Sequence, residues 1–244
     1  MMSRYLMLQD LTQRLLPYMQ VASLKLNEAH TVTSTNDWAW EAYRDTRTSL
    51  GENQSLLFLA LVQTKGRGTQ NRVWMSPEGA GLYMSLLYIP KKQIPLRISA
   101  LSQGDLVPIY SRVVALATWY ALVSLFPALC DLISVRGAND LCVGLDKLGG
   151  HLVETSLTQS GYLNAIVVGT GLNVSLPASF HLLDERNTVT QLSQHVPADE
   201  LQQYNLRQLA YLIGLAQAAF CSAIEQGALN DLDYYIEKLS SPHL

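Results

Sequence analysis

The hydrophobic and polar positions in the first quarter of the chain predict helix, strand, helix and strand in turn. Residues 1–29 carry a weakly amphipathic helical pattern, and β-branched residues indicate a strand at residues 31–33. Residues 34–37 (STND) are of the types that cap helix N-termini, so a helix is predicted from there to about residue 47. Residues 55–62 are continuously apolar, which is typical of a strand buried on both faces.

The rest of the chain alternates predicted loops, strands and helices without an internal repeat. A polar loop at residues 63–78 precedes a strand at 81–89 and an apolar helix at 106–126. Strands are predicted at residues 132–135, 141–143, 147–155 and 162–168, and a helical pattern at 199–239. We therefore expect an α+β fold with a mixed β-sheet flanked by helices, a helical lead-in at residues 1–29 and one main domain at residues 30–240.

Composition narrows the class of protein. The 244 residues are 48% hydrophobic and 15% charged with scattered basic residues, so no nucleic-acid partner is expected. The longest apolar run, residues 113–126, is shorter than the roughly 20 residues of a membrane span, which predicts a buried helix and no membrane partner. The N-terminus has no signal-peptide core, and the three cysteines are dispersed and odd in number, which favours a cytoplasmic location.

The loop at residues 63–78 (QTKGRGTQNRVWMSPE) has the most informative composition. Gly66 and Gly68 let a ligand approach the backbone, and Arg67 and Arg72 offer planar donor groups to a carboxylate or phosphate. Asn71 stands where a dinucleotide-binding G-x-G-x-x-G pattern needs its third glycine, so that fold is not indicated. The loop is predicted to bind an anion, although the same triplet is common in turns with a solvated arginine.

Lys147 begins a glycine-rich strand. A period of two residues puts Lys147, Gly149, His151 and Val153 on one face of that strand. A lysine at this position is suited to neutralise charge between a substrate carboxylate and the α-phosphate of ATP. The alternative interpretation is a surface lysine beside a hairpin.

Asn139 and Asp140 are candidates for nucleotide or Mg²⁺ binding, or for ordinary turn chemistry. The five histidines show no metal-ligand spacing, and no serine or cysteine nucleophile motif is present. Hydrolase and metalloenzyme functions are therefore not expected, and no residue is assigned to a metal ion that the protein itself would hold.

The order and spacing of these motifs resemble the biotin–protein ligase family over residues 30–235, in its monofunctional form without a DNA-binding domain. Each motif is weak by itself, and the resemblance depends on the whole series. The series is Ser34-Thr35-Asn36, Gln63-x-x-Gly66-Arg67-Gly68, Arg72-x-Trp74-x-Ser76-Pro77, Gly81-Leu82-Tyr83-x-Ser85, Asn139-Asp140-Leu141, Lys147-Leu148-x-Gly150-x-x-Val153-Glu154 and Gly169-x-Gly171-x-Asn173.

The resemblance implies a catalytic domain of the class II aminoacyl-tRNA synthetase and biotin synthetase type, with a reaction in two steps. The carboxylate of biotin attacks the α-phosphate of ATP, which binds with Mg²⁺, and pyrophosphate leaves. The resulting biotinyl-5′-AMP then passes its acyl group to a lysine of the biotin carboxyl carrier protein of acetyl-CoA carboxylase. Biotin, ATP and Mg²⁺ are thus the implied small molecules, and the carrier is the implied partner.

The same resemblance assigns roles to individual residues. Lys147 and Arg67 are the implied catalytic residues. The implied biotin-binding residues are Ser34, Thr35, Asn36, Gln63, Arg67, Gly68, Thr69 and Lys147. The implied nucleotide-binding residues are Arg72, Trp74, Asn139, Asp140 and Asn173.

Three departures from the family pattern keep alternatives open. Thr69 and Asn71 stand where the family usually has a basic residue and a glycine, which predicts a loop that holds the adenylate less firmly. The family's Lys-Trp-Pro is replaced by Arg136, Gly137 and Ala138, and the small C-terminal β-barrel of many relatives is expected to be absent. The alternatives are a non-catalytic biotin- or nucleotide-binding relative and a lipoate or octanoate ligase on the same fold.

Overall fold

The protein folds around one seven-stranded sheet. The structure, a computed structural model, describes residues 3–46, 54–90, 103–159, 162–180 and 188–240. Its strands are β1 (Ser23–Val32), β2 (Gln54–Gln63), β3 (Gly81–Tyr88), β4 (Ile133–Arg136), β5 (Asp140–Val143), β6 (Asp146–Leu157) and β7 (Leu163–Asn173). Its helices are α1 (Arg4–Val21), α2 (Thr35–Thr46), α3 (Gln103–Leu125), α4 (Ala198–Leu201), α5 (Leu206–Glu225) and α6 (Leu232–Ser240).

The strand order is β1-β2-β3-β7-β6-β5-β4. Strands β1 and β2 are parallel and are joined through α2, whereas every other neighbouring pair is antiparallel. The predicted mixed sheet flanked by helices is therefore confirmed. The end of the predicted second helix, near residue 47, and residues 91–102 of the connection before α3 lie outside the described residues.

The first strand differs from its prediction. The strand expected at residues 31–33 begins at Ser23, because the chain pairs with β2 along its length, from Ser23 opposite Gln54 to Val32 opposite Gln63. The predicted boundary between residues 29 and 30 consequently falls inside β1. The preceding helix, α1, also belongs to the main body, since its buried side chains join the principal core: Met7, Leu11 and Leu15.

Helices cover both faces of the sheet. The face toward α1, α3, α5 and α6 holds the principal core, in which Trp119 and Phe220 are fully buried. On the other face, α2 contacts β2, β3 and β7 and covers a smaller cluster that includes Phe58 and Val167. The start of α2 marks the edge of the candidate site.

Two helical segments, Val107–Leu125 and Leu206–Glu225, are long and apolar enough to cross a membrane by length and composition alone. In this fold both pack in the principal core, and 67% of each apolar window is buried within the protein. The buried helix predicted at residues 113–126 is therefore confirmed, and burial in the core accounts for its apolar composition.

Candidate active site

A cavity of about 280 Å³ lies beside the start of α2, between the loop at residues 64–76 and strands β6 and β7. All the residues that the resemblance implied for biotin and nucleotide line this cavity except Asp140, whose carboxylate contacts the lining residue Lys147. The structure thus brings residues from distant parts of the chain to one place. Their individual roles stay predictions at this stage.

Three glycines, Gly150, Gly169 and Gly171, form a glycine floor on the pocket side of β6 and β7. A Cβ atom at Gly169 would lie 2.4 Å from Asn36 Oδ1, and one at Gly171 would lie 2.3 Å from Trp74 Cε2. Real Cβ atoms do not approach other atoms so closely, so any side chain there would displace Asn36 or Trp74. The glycines therefore leave space for functional side chains to lie directly on the backbone.

One end of the cavity is neutral and polar. Gln63 accepts hydrogen bonds at Oε1 from the Thr35 backbone N–H (2.9 Å) and hydroxyl (3.2 Å), and it donates from Nε2 to Ser76 (3.1 Å). The buried hydroxyl of Ser85 lies 2.7 Å from Thr35 Oγ1 and 2.6 Å from Asn36 Oδ1. Hydroxyls and amides that are already oriented by neighbours suit a neutral ligand with both donors and acceptors.

Arg67 is held by two carboxylates beside this polar end. Its Nη2 donates to Asp37 Oδ1 at 2.7 Å and to Glu154 Oε1 at 3.1 Å. The hydrogen bond that Arg67 donates to Asp37 raises the pKa of Arg67 above its usual range, and Glu154 adds to that effect. Glu154 Oε2 also accepts from Asn36 Nδ2 (3.1 Å) and Trp40 Nε1 (2.8 Å), so one carboxylate connects β6, α2 and the loop.

The loop after Arg67 turns back on itself in a tight hairpin. The Gly68 N–H donates to the Arg72 carbonyl at 2.7 Å, and Thr69 accepts from the Arg72 guanidinium at 3.0 Å. Gln70 and Asn71 between them have positive φ values of 58° and 57°. Asn71 stands where the family usually has glycine, and asparagine is among the residues that tolerate this conformation best. The turn therefore forms in this chain with asparagine at this position.

The prediction that Lys147 shares a strand face with Gly149, His151 and Val153 is wrong. The pairing of β5 with β6 shifts by one residue, and Leu148 is the extra residue of the resulting β-bulge. Because side chains alternate along a strand, a bulge reverses the faces on either side of it. Lys147 therefore lies on the same face as Gly150, within 3.1 Å of that residue's Cβ position. His151 also contributes to the cavity wall, but its ring contacts Thr118 on α3, and Val153 joins the principal core.

The Lys147 ammonium lies between a carboxylate and an aromatic ring. Nζ donates to Asp140 Oδ1 at 2.8 Å and lies 5.3 Å from the centroid of the Trp74 ring, and the Lys147 side chain is only 17% exposed. Asn139 Nδ2 also donates to Asp140 Oδ1, at 3.0 Å, and the Arg136 guanidinium is 3.7 Å from Asp140 Oδ2. A cation partly withdrawn from water interacts more strongly with an incoming anion.

Asn173 positions the backbone at Lys147. Its Nδ2 donates to the carbonyl oxygens of Lys147 (3.2 Å) and Thr190 (3.0 Å). The Lys147 backbone also pairs with residues 188–190. Its N–H donates to the Thr188 carbonyl, and its carbonyl accepts from the Thr190 N–H. Asn173 was predicted to bind nucleotide, and in the structure its amide group joins three segments of the cavity wall.

Several lining residues escaped the sequence analysis. Phe180 and Val189 belong to a stretch with no recognisable pattern, so no signal in the sequence indicated them. Asp37 was predicted only as a helix-capping residue, and Glu154 stood in a quoted motif without a role; neither lines the cavity, and their importance depends on contacts with Arg67 from separate elements.

Residues 29–173, more than half of the chain, match the Biotin/lipoate A/B protein ligase family. The chain belongs to this family. The resemblance stated from the motifs is thereby confirmed.

Curated relatives of this family member match over about half of its length. It is 28% identical over 141 residues to the bifunctional ligase/repressor BirA of Bacillus spizizenii, a match that covers 58% of this chain and 39% of BirA. It is 33% identical over 119 residues to BirA of Escherichia coli K12 (48% and 32%) and 29% identical over 126 residues to the biotin–protein ligase of Homo sapiens (51% and 16%). The match thus spans well under half of each of these proteins.

Solved structures of the family share the fold over a longer range. The biotin protein ligase of Leishmania major in complex with biotin gives a TM-score of 0.66 at 22% identity, covering 91% of this chain and 82% of that one. The enzyme of Aquifex aeolicus in complex with biotin and ATP gives 0.61 at 22% identity, covering 87% and 76%. The catalytic-domain fold that the resemblance implied is therefore confirmed.

Proposed function

We propose that this family member is an ATP-dependent ligase that activates biotin as biotinyl-5′-AMP and transfers the biotinyl group to a lysine of a carrier protein. Its curated relatives include named biotin–protein ligases, and the relatives of the same fold include complexes with biotin, ATP and biotinyl-5-AMP. Membership of the family supports the reaction class, and the geometry of the cavity supports the choice of substrate.

The proposal depends mainly on one observation, which is that one part of the cavity wall is neutral and polar whereas another presents a positive charge. The part of the wall formed by Ser34, Thr35 and Gln63 offers neutral donors and acceptors, which suit the ureido group of biotin, and the buried Ser85 orients Thr35 from below. The other end presents the Lys147 ammonium, which suits a carboxylate and a phosphate brought together. A molecule with a urea at one end and a carboxylate at the other matches both.

In the first step, a carboxylate oxygen of biotin attacks the α-phosphorus of ATP, and the bond to the β-phosphate breaks to release pyrophosphate. Lys147 contacts the two anionic groups, lowers their mutual repulsion and stabilises the charge that develops on the phosphoryl oxygens. Asp140 and Asn139 hold the ammonium in place before the nucleotide arrives. Arg72, Trp74 and Asn173 line the nucleotide part of the wall.

Mg²⁺ enters with the nucleotide in this proposal. The described residues contain no cluster of three or more histidine, cysteine, aspartate or glutamate side chains arranged to hold a metal ion. Mg²⁺ in nucleotide sites commonly takes one or two carboxylates together with the substrate phosphates. Asp140 is a carboxylate of this kind beside Lys147.

In the second step, the amine of a carrier lysine attacks the acyl carbon of the adenylate, and AMP leaves. Arg67, Gly68 and Thr69 belong to the loop that shields the adenylate from water. The partner is a biotin carboxyl carrier protein, such as that of acetyl-CoA carboxylase. The three cysteines form no disulfide in the structure, which supports a cytoplasmic setting for the reaction.

Biotin-dependent exchange of labelled pyrophosphate into ATP tests the first step. We expect exchange by the wild type with biotin, and a loss of at least about 100-fold in Lys147→Ala, since removing one preorganised charge-stabilising group typically has an effect of this size. Lys25→Ala is the matched control, because Lys25 is exposed on β1, away from the cavity. A carrier domain added to the active mixture then tests transfer.

Two results would redirect the proposal. Exchange that requires lipoate or octanoate and ignores biotin would assign the chain to the lipoate side of its family. Binding of biotin by calorimetry with no exchange under any condition would identify a non-catalytic binding protein.

A further inference from the structure

A line of buried polar side chains crosses the apolar layer behind the pocket. His151 on β6, Thr118 on α3, Gln217 on α5 and Thr170 on β7 are each no more than 3% exposed. The His151 Nε2 atom lies 2.9 Å from Thr118 Oγ1, and Gln217 Nε2 donates to Thr118 Oγ1 (3.0 Å) and to Thr170 Oγ1 (2.9 Å). Polar groups buried in such a layer lower stability unless they are paired, and here most of them are paired with one another.

The neighbours of the His151 ring determine which ring nitrogen donates a hydrogen bond and which accepts one. Nδ1 lies 3.0 Å from the Asn139 carbonyl oxygen, which can only accept, so Nδ1 carries the ring proton. Burial lowers the pKa of His151 to about 4, so the ring is neutral near pH 7 and Nε2 accepts. The Thr118 hydroxyl is the donor within reach, although the Val114 carbonyl, 2.8 Å away, competes for its proton. The ring therefore connects α3 to Asn139.

Asn139 extends this connection to the pocket. Its carbonyl also accepts the His151 backbone N–H at 2.9 Å, so two donors fix the peptide group that precedes β5. Its side-chain Nδ2 donates to Asp140 Oδ1, the same oxygen that accepts from Lys147 Nζ. The orientation of Asn139 therefore bears directly on the carboxylate that holds the Lys147 ammonium.

We propose that His151 is a positioning residue for adenylation, which fixes the Lys147 ammonium through Asn139 and Asp140. The ring nitrogens contact Thr118 on α3 and the Asn139 carbonyl, so the ring acts on Lys147 through these neighbours, although His151 is itself part of the cavity wall. The inference rests on the proposed function. It adds a residue that acts on the Lys147 ammonium through Asn139 and Asp140.

The test compares His151→Leu with His151→Asn in the biotin-dependent exchange assay. Leucine removes both ring hydrogen bonds, whereas asparagine keeps an N–H donor at the same distance from the backbone as Nδ1. We expect His151→Leu to lower kcat/KM for ATP by about tenfold, the size of one lost hydrogen bond, and the asparagine variant to recover most of it. The KM for biotin should change by less than about threefold, because the polar end of the cavity does not depend on Asn139.

Thr118→Val and Thr118→Ser provide a second, milder test if His151→Leu does not fold. Valine preserves the shape of Thr118 and removes the donor to Nε2, so kcat/KM for ATP should fall by about threefold, and serine should restore it.

Each other outcome overturns the inference. A folded His151→Leu enzyme with the kcat/KM of the wild type shows that Lys147 is positioned without the ring. Equal losses for ATP and biotin, with no rescue by asparagine, show a structural role alone. If the wild type itself shows no exchange, the proposed function fails first and the inference fails with it.

Discussion

The burial of His151 predicts a specific loss of stability in mild acid. The side chain is 3% exposed, and burial lowers its pKa from an ordinary 6.5 to about 4. Between these values the unfolded chain binds a proton that the folded protein excludes, so the free energy of unfolding falls as the pH falls. At about 1.4 kcal/mol per pKa unit, the loss is about 2 kcal/mol between pH 7 and pH 5 and approaches about 3 kcal/mol near pH 4.

Urea unfolding at several pH values between 7 and 5 measures this loss, and His151→Asn is the matched control. Carboxylates elsewhere titrate in both proteins, whereas the asparagine cannot be protonated in this range. The difference in free energy of unfolding between the two proteins should therefore change by about 2 kcal/mol across the range, because the wild type loses stability at low pH and the variant does not lose this part. Parallel pH profiles would refute the reasoning, since they would mean that the folded protein admits the proton as readily as the unfolded chain.

Two further predictions concern the glycine floor and the first helix. Gly171→Ala should displace Trp74, whose ring atoms lie as close as 2.3 Å to the new Cβ position, and destabilise the protein by about 1–3 kcal/mol. Thermal unfolding should show the lower stability, and biotin-dependent exchange should fall. An unchanged exchange rate would contradict this packing of Trp74 on Gly171. Arg4→Ala should lower the free energy of unfolding by roughly 2–3 kcal/mol, because the Arg4 guanidinium donates to the carbonyls of Ile133 (2.8 Å) and Lys238 (3.3 Å). Urea unfolding measures this change, and a loss below about 0.5 kcal/mol, typical of a surface site, would mean that Arg4 does not anchor α1.

The first strand shows why part of the fold was not predictable from the sequence. Its first half, with Lys25, Asn27 and Glu28, contains residue types that are uncommon in strands, and none of its residues is fully buried. What makes it a strand is the parallel pairing with β2, which is a contact between segments about 30 positions apart. Strand β2, in contrast, was predictable from its continuous apolar run, because all of its central side chains are buried.

The parts of the candidate site that consist of sequence motifs were predictable. The parts that depend on contacts between distant segments were not. The loop and strand motifs located the cavity walls, because the whole series in order carries the family resemblance, although each motif is weak by itself. The orientation of the strand at Lys147 was predicted incorrectly, since a period of two residues holds only until a bulge, and Leu148 has no feature that marks it as an extra residue. The two carboxylates around Arg67 come from separate elements and were not foreseeable from spacing.

The glycine floor determines where ligand selectivity can change. At Gly150, Gly169 and Gly171 the space above the backbone is already taken by Lys147, Asn36 and Trp74, one functional side chain for each glycine. At Gly169 and Gly171 even a methyl group would collide with these side chains, whereas at Gly150 it would meet Lys147 and Asp140 at 3.1–3.2 Å, so substitution of the floor displaces functional side chains and does not enlarge the pocket. An engineer who wants a longer or bulkier acid accepted should leave the sheet unchanged and redesign the walls, beginning with Phe180 and Val189.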